Sequence, residues 1–425
     1  MANARGHTGR GFGLYLLLTG LICPLVPLLL RRRLKKGKEL PDRWIEKLGQ
    51  PTLTRPQGPL IWMHAVGLGE ALALRALIVA LKSARPDLNI LVTSSTRSSA
   101  EALAANGLSG AIHQFLPLDC PRARRRFLEH WRPDLAVWSE QDIWPGFVHA
   151  AAKRGIPQVW INARMNADAH RRRARMPRLY RATYQCFARI SAQDGATAGF
   201  ISDLGASAQI GGSLKPAAAP LSDKPKERLA LIAMLAGRRV WLAASSHPED
   251  ERVALDAYRN ADAPGLLVIA PRYPHRGSEI ETTVAAMGLS VRRRSNGETP
   301  DAATEVYIAD TTGEMGLWYR LADMALIGGT FSDIQGHNPW EAAALGCAIL
   351  HGPRTENFST DYNGLDGANA ATLVRTAPEL VHALGVATTR AQPERAKVLV
   401  QEGRKLVELL ATQLLSDMDA RAGTL

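Results

Sequence analysis

Two stretches in which strands alternate with helices, joined by a proline-rich linker, predict an α/β protein of two parallel-sheet domains. Chemistry-bearing motifs recur at the strand ends, where open parallel sheets bind their ligands. An uncharged apolar stretch directly ahead of a basic block adds a membrane-attachment segment at the N-terminus.

That segment comes first. Residues 12–30 carry no charge and have about the length a bilayer span needs. Arg31, Arg32, Arg33, Lys35, Lys36 and Lys38 follow, against only Arg5 and Arg10 upstream, so the bulk of the chain is expected on the cytoplasmic side. No small-residue cleavage site follows the run, which predicts an uncleaved anchor over residues 1–38. Pro24 and Pro27 leave open a helix that dips into one leaflet instead of crossing.

The first domain is expected over residues 39–214. Strands are predicted at 60–66, 89–93, 111–116, 135–138 and 158–162, with helices at 71–84, 98–105, 121–131 and 145–154. The rhythm stops at a linker, 215–225, marked by Pro216, Pro220 and Pro225. It resumes in a second domain over 226–425, with strands at 240–244, 265–270, 290–293, 306–308, 324–327 and 348–350. The expected architecture is two Rossmann-like domains facing a central cleft.

Composition narrows the class. The chain has 425 residues, 46% of them hydrophobic, with 36 Gly and 25 Pro, which is globular and loop-rich. Cys23, Cys120, Cys186 and Cys347 lie far apart with no CxxC pair, which speaks against a disulfide framework or a zinc site. The net charge of +12 asks for an acidic partner. Arg122, Arg124, Arg125 and Arg126 precede Trp131, and Arg171, Arg172, Arg173 and Arg175 precede Tyr180. Both clusters suit solvated helix faces or an anionic membrane surface. No nucleic-acid motif is present, so nucleic acid is not expected as a partner.

The most informative motif is Ile327-Gly328-Gly329-Thr330 running into Gly336-His337-Asn338-Pro339-Trp340-Glu341. It reads as a buried strand, a glycine-rich turn and a helix with Asn338 as N-cap, Pro339 at its first position and Glu341 completing a capping box. Such a helix start holds an anion or is simply well capped. Ser245, Ser246 and His247 close one strand of the same domain and Arg272 the next, where a guanidinium can hold a phosphate or form a surface ion pair. Thr312, Gly313, Glu314 and Met315 form a further strand-end loop that also reads as a plain turn. Asn357 follows the final strand.

In the first domain, His64-Ala65-Val66-Gly67-Leu68-Gly69-Glu70 ends a strand. The third glycine of a dinucleotide fingerprint is missing, and Glu70 would repel a pyrophosphate. Glu70 is then either a helix-start acid or a general base. Glu140, Asp142 and Trp144 end another strand, where two carboxylates suit an acceptor's hydroxyls or a helix N-terminus. No metal site emerges. The only DxD, Asp417-Met418-Asp419, is read as solvated.

In this order the motifs resemble the 3-deoxy-D-manno-octulosonic acid (Kdo) transferase family of lipopolysaccharide synthesis. The family pattern has an anchor, H-A-x-S-x-G-E, P-L-D and E-x-E-x-W-P-N, then G-N-L-K, S-T-H and P-R-H-P-x-R. It closes on D-T-x-G-E-L, G-G-S, G-G-H-N-P-x-E and N-F, and counterparts run from about Arg43 to Leu365. The resemblance implies an inverting, metal-independent glycosyltransferase of GT-B fold with no cofactor. Its donor would be CMP-Kdo and its acceptor a lipid A precursor, at the cytoplasmic face of the inner membrane. It places the catalytic base on Glu70. Ser245, Ser246, His247, Arg272, Thr312, Gly313, Glu314, Met315, Gly336, His337, Asn338, Glu341 and Asn357 fall on the donor side. Gly67, Gly69, Glu140, Asp142 and Trp144 fall on the acceptor side. Departures are Gly67 for serine, Asp142 for glutamate, Gly146 for asparagine, Ser213 for asparagine, Ser246 for threonine, Tyr273 for histidine and Gln335 for glycine. Those at 67, 142 and 146 cluster on the acceptor side, so a diverged paralogue with another acceptor or ulosonic acid, or a non-catalytic binding paralogue, stays open.

Overall fold

The computed structural model describes residues 9–108, 110–385 and 391–422; the side chains of 9–11, 68–72, 102, 105, 106, 421 and 422 lie outside that description. The chain divides into two compact units, Met1–Ala218 with Gly403–Leu425, and Ala219–Glu402.

The first unit opens with α1 (Gly9–Ile22), a 3-10 turn and α2 (Val26–Lys35). Then follow β1 (Leu60–His64), α3 (Leu68–Ala84), β2 (Asn89–Ser94), α4 (Arg97–Asn106), β3 (Ile112–Phe115), α5 (Pro121–Trp131) and β4 (Leu135–Ser139). The unit continues through α6 (Pro145–Lys153), β5 (Gln158–Ala163), α7 (Ala167–Ala174), α8 (Pro177–Tyr184), β6 (Arg189–Ala192), α9 (Gly195–Asp203) and β7 (Gln209–Ile210). The strands pair in the order β3-β2-β1-β4-β5-β6-β7, parallel at each pairing. Chain direction across the sheet reverses between β1 and β4, which makes their carboxyl ends the switch point.

Alternation of side chains across the pleat builds two cores. Ile61, Met63, Val137, Val159 and Ile161 face one side, and Trp62, Trp138 and Trp160 face the other with Phe127, Trp131 and Phe147. The indoles are buried yet hydrogen-bonded. Trp62 Nε1 donates to Thr93 Oγ1 at 2.9 Å, Trp138 Nε1 to Gln158 Oε1 at 3.1 Å and Trp160 Nε1 to the Glu140 carbonyl at 2.7 Å.

The second unit comprises α10 (Pro225–Leu235), β8 (Val240–Ser246), α11 (Pro248–Asn260), β9 (Leu266–Pro271), α12 (Gly277–Ala286), β10 (Val291–Arg293) and β11 (Val306–Ile308). After these come α13 (Met315–Leu321), β12 (Met324–Ile327), α14 (Trp340–Ala344), β13 (Ala348–His351), α15 (Ser359–Gly367), β14 (Ala371–Leu373) and α16 (Ala377–Gly385). Its sheet order is β10-β11-β9-β8-β12-β13-β14, again parallel, with the switch at β8 and β12.

Several expectations need correction. Residues 163–214, where the sequence predicts no elements, hold β6, β7 and α7 to α9. The linker contains a 3-10 turn at Lys215–Ala217, and the units part after Ala218. The last helix, α17 (Gln392–Ala422), was expected wholly in the second domain, yet from Gly403 onward it belongs to the first unit. Val407, Leu410, Ala411, Leu414 and Met418 join the core of Leu74, Leu77, Ile78 and Leu81 there. The DxD acids are solvent-accessible, as expected, but both are ion-paired. Asp417 pairs with Arg189, and Asp419 accepts two hydrogen bonds from Arg85 at 2.9 and 2.7 Å. Cys23 and Cys120 do not lie apart in space; their thiols touch, with Sγ atoms 2.7 Å apart.

Gly146, where the family carries asparagine, has a physical reason. A Cβ there would fall 2.2 Å from Arg124 Nη1 and 2.4 Å from Asp119 Oδ1. The buried Arg124–Asp119 pair occupies that space, and Gly146 N donates to Asp119 Oδ2 at 2.8 Å. Arg124 is therefore internal, while Arg173 is half-buried and donates to the Gln141 carbonyl at 2.6 Å. The neighbouring Arg122, Arg125, Arg171, Arg172 and Arg175 are exposed.

Leu414 is fully buried at the joint between α17 and the first unit's core. Leu414→Ala is expected to destabilise that unit by about 2–5 kcal/mol. Thermal denaturation of the purified variant would measure it, and an unchanged midpoint would show that the helix is dispensable to the core.

Candidate active site

In the second unit, the sequence places a buried acid three residues after His247, and the structure makes it the centre of the switch point. Asp250 is fully buried in the first turn of α11. Its carboxylate accepts from His247 N at 2.9 Å, Gly329 N at 2.7 Å and Phe331 N at 3.1 Å. It thereby ties the end of β8 to the glycine-rich turn after β12. The approach is close: a Cβ at Gly328 would sit 2.3 Å from the Ser245 carbonyl oxygen, so only glycine fits. Ser245 itself has φ of 51°, a left-handed conformation beside a register shift in the β8–β9 pairing.

This clamp brings His247 and His337 together. Their Nε2 atoms are 2.9 Å apart and their rings stack with centroids 5.2 Å apart. Burial, with the charges of His247 and Arg272, pushes the His337 pKa down to about 4, and burial lowers that of His247. One N–H shared by two neutral rings is the arrangement at neutral pH. Arg272 follows β9, is exposed, and has no carboxylate partner among the described residues. The surface ion pair open to it in the sequence reading is absent there.

The turn from Gly329 closes on itself through Gly336 N to the Gly329 carbonyl (2.8 Å) and His337 N to that of Gly328 (3.1 Å). Asn338 is not the N-cap, yet its Oδ1 accepts from Trp340 N at 3.1 Å just ahead of the helix. The helix begins later than expected, with Pro339 at the cap position and Trp340 first of only five residues. Glu341 does not close a reciprocal box. Burial raises its pKa, while Arg272 and a hydrogen bond with the Asn338 side chain counter that shift. Asn357 is exposed, and its Nδ2 donates to the Ile334 carbonyl at 2.6 Å, bracing the same turn.

Two expected donor contacts are engaged elsewhere. Ser246 is fully buried and its Oγ donates to Glu251 Oε1 at 2.9 Å. Glu314 accepts from Arg294 at 2.9 Å and from Lys224 and Thr311. The Arg294 hydrogen bond, helped by those from Lys224 and Thr311, brings its pKa down to about 2. It braces the loop and caps α13, leaving Thr312 and Gly313 exposed and Met315 as the first helical residue.

In the first unit, the strand ends form a second constellation. Glu140 follows β4 with φ of 55°, is buried, and accepts from Asn162 Nδ2 at 3.1 Å. Asp142 accepts from Trp144 Nε1 at 2.7 Å and lies 3.2 Å from His64 Nε2. His64 Nδ1 lies 3.0 Å from Thr93 Oγ1 and 3.1 Å from the Thr93 carbonyl, so the ring is held from both sides with Nε2 turned to Asp142. Burial alone would raise the Asp142 carboxyl, yet the His64 and Trp144 hydrogen bonds and the Arg173 charge bring it below its ordinary value. Gly67 is the N-cap of α3, and Gly69 and Glu70 fall in its first turn. The Glu70 side chain lies outside the described residues.

Sequence reasoning missed His64, Thr93, Asn162 and Asp250 as site-building residues. Asp250 carried a readable signal, since an acid three positions into a Pro-started helix was the pattern already recognised at Glu341. Among the described residues no three His, Cys, Asp or Glu side chains converge as metal ligands do.

Two parallel α/β units with loop motifs at their switch points make up the two-Rossmann GT-B fold. Solved structures share this fold: a glycosyltransferase from Rickettsia africae (TM-score 0.56, 9% identity, covering 85% of this chain and 99% of that one) and UDP-GlcNAc 2-epimerase from Neisseria meningitidis (0.51, 12%, 81% and 99%). Residues 42–218 match the family described as 3-Deoxy-D-manno-octulosonic-acid transferase (kdotransferase). An Arabidopsis thaliana protein named "Probable 3-deoxy-D-manno-octulosonic acid transferase, mitochondrial" is 32% identical over 96% of this chain and 94% of its own length. The Bordetella pertussis 3-deoxy-D-manno-octulosonic acid transferase is 31% identical over 93% and 95%. The chain belongs to the Kdo transferase family.

The two buried groups of the donor clamp pull stability in opposite directions with pH. Asp250, raised by burial from 3.8 to about 6, favours the folded state most below about pH 4, and that contribution is lost as pH rises through 6. His337, depressed to about 4, contributes stability that is gained as pH rises from 4 to 6.5. Asp250→Asn should abolish the first trend, so that stability climbs more steeply over this window than in the parent. Urea titrations at stepped pH would read the slopes; parallel slopes would disprove the buried carboxylate's role.

Proposed function

We propose that the chain moves Kdo from CMP-Kdo to a lipid A-type acceptor, with inversion and without a metal. The observation that carries this reading is the unpaired Arg272 beside the neutral His247–His337 pair at the second unit's switch point. A CMP-sugar leaving group bears one phosphodiester charge. One guanidinium, with neutral N–H donors nearby, suffices to receive it. Glu341, half-buried and hydrogen-bonded with Asn338, suits the ribose hydroxyls.

In the reaction an acceptor hydroxyl gives its proton to Glu70 as its oxygen bonds to the sugar's anomeric carbon. The bond from that carbon to the phosphate oxygen breaks, and CMP leaves with the electron pair toward Arg272. A single displacement inverts the carbon. Asp142, held ionised by His64 and Trp144, serves the acceptor's polar groups. The exposed basic residues near the N-terminal helices suit a phosphorylated lipid at an anionic membrane surface on the cytoplasmic side.

Detergent-solubilised protein given CMP-Kdo formed in situ, a tetra-acylated lipid A precursor and a chelator should yield products heavier by one or more Kdo units. Bound CMP without product would redirect the reading to another acceptor. Glu70→Ala is expected to abolish transfer while CMP affinity stays within a few-fold; substantial residual activity would sink the base assignment. For Arg272→Ala, loss of a charged hydrogen bond of about 1.5–3 kcal/mol predicts CMP binding weakened about 10- to 150-fold by calorimetry.

A further inference from the structure

From the packing of the N-terminal helices we infer that they do not cross the bilayer but lie along its surface, docked on the first unit by one face and facing lipid with the other. This rests on the membrane-attachment reading above and specifies its geometry.

The helix α1 divides cleanly by position. Phe12, Tyr15, Leu16, Thr19, Gly20 and Cys23 recur at helical spacing and are buried or half-buried. Phe12 is fully buried against Leu179 and Ala182 of α8, and its ring lies 4.4 Å from that of His149 on α6. Tyr15 donates to Asp119 Oδ2 at 2.6 Å, and Cys23 touches Cys120. Asp119 is the carboxylate that also holds Arg124 and the amide of Gly146 at the start of α6. The helix is thus built into a buried polar network, not appended to the unit.

The opposite face is dominated by leucine and isoleucine, with Gly13 and Pro24 the other exposed positions. Leu14, Leu17, Leu18, Leu21, Ile22, Leu25, Leu28 and Leu29 are each between 46% and 70% exposed. That exposure continues across the turn at Pro24 into α2. A monomeric protein does not leave such a stripe to water, and its chemistry matches acyl chains.

A span is incompatible with this docking. The candidate span Phe12–Lys35 has 24 residues, of which the uncharged 12–30 cover about 28 Å at helical rise, so a crossing would carry its first turns to the far side of the hydrocarbon from the basic end. Phe12 and Tyr15 would then draw α6 and α8 into the bilayer, together with the exposed Arg175, Arg178 and Arg181 and the Asp119–Arg124 pair. Lying in plane removes the conflict. The leucine face enters the headgroup boundary, and Arg31, Arg32, Arg122 and Arg126 meet anionic headgroups. Arg122 and Arg126 have no acidic partner among the described residues. They border a groove of about 550 Å³ that runs beside Gly20, Cys23 and Val26.

The test uses the full chain in its native membrane with an N-terminal epitope tag. In intact spheroplasts the tag should resist added protease and be cleaved only after lysis, while the protein stays in the membrane pellet. Dibromobimane, which fluoresces on bridging two neighbouring thiols, should label the wild type in those membranes and lose that signal in Cys23→Ser and in Cys120→Ser. A pelleted protein whose tag is cut from outside, without bridging, overturns the in-plane geometry and keeps the anchor. A protein that does not pellet at all overturns the attachment reading itself, whatever the side of the tag. Leu17→Glu with Leu21→Glu should release the protein to the supernatant with unchanged thermal midpoint; release accompanied by unfolding would mean that the leucine face is core and not lipid-facing.

Discussion

Every strand of both sheets runs parallel to its neighbours, and this one constraint decides where chemistry can occur. Parallel pairing sends each chain reversal through a crossover, in most cases a helix, so all the loops that follow strands emerge on one edge of each sheet. In the first unit that edge collects Glu140, Asp142 and the start of α3; in the second it collects His247, Arg272 and the turn ending at Asn338. The cores beneath are two-sided, as fully covered parallel sheets require, and they resist displacement of the strand ends.

The strand ends themselves are held by polar groups, not by packing alone. Asp250 in the second unit and the His64–Asp142–Trp144 set in the first do analogous work with different chemistry. One buries a carboxylate against three backbone amides. The other orients a half-exposed carboxylate with an imidazole and an indole. The first suits a rigid turn whose amides must point in a fixed direction. The second leaves an ionised oxygen pair accessible to a polar ligand. Backbone conformations that side-chain-bearing residues rarely adopt, at Glu140, Asn162, Ser245 and Gln335, concentrate at these same positions.

Much of this was legible in the sequence, because central parallel strands are continuous apolar runs. The six central strands β1, β4, β5, β8, β9 and β12 were placed within about two residues of their bounds. The strands β6, β7 and β14 were not, since they are short, lie toward a sheet edge and are interrupted by half-buried positions or, in β7, fully exposed. Local signals also located Arg272, Asn338 and the acid pair after β4. Non-local facts were beyond reach: the return of α17, the meeting of Cys23 with Cys120, and the guanidinium that takes the space beside Gly146. Each arginine cluster looked uniform as a string, yet each turns one member inward, Arg124 to Asp119 and Arg173 to the Gln141 carbonyl. Only the helix phase against a folded neighbour distinguishes those members from the rest.

The division of α17 has a consequence for how the protein is made. The second unit is an insertion in the first, entered after Ala218 and left at Gly403. On a ribosome, the first sheet is complete in sequence long before the helix that covers Leu74, Leu77 and Ile78 has been synthesised. The hydrophobic face awaiting Val407, Leu410 and Leu414 therefore stays uncovered while the whole inserted unit is translated.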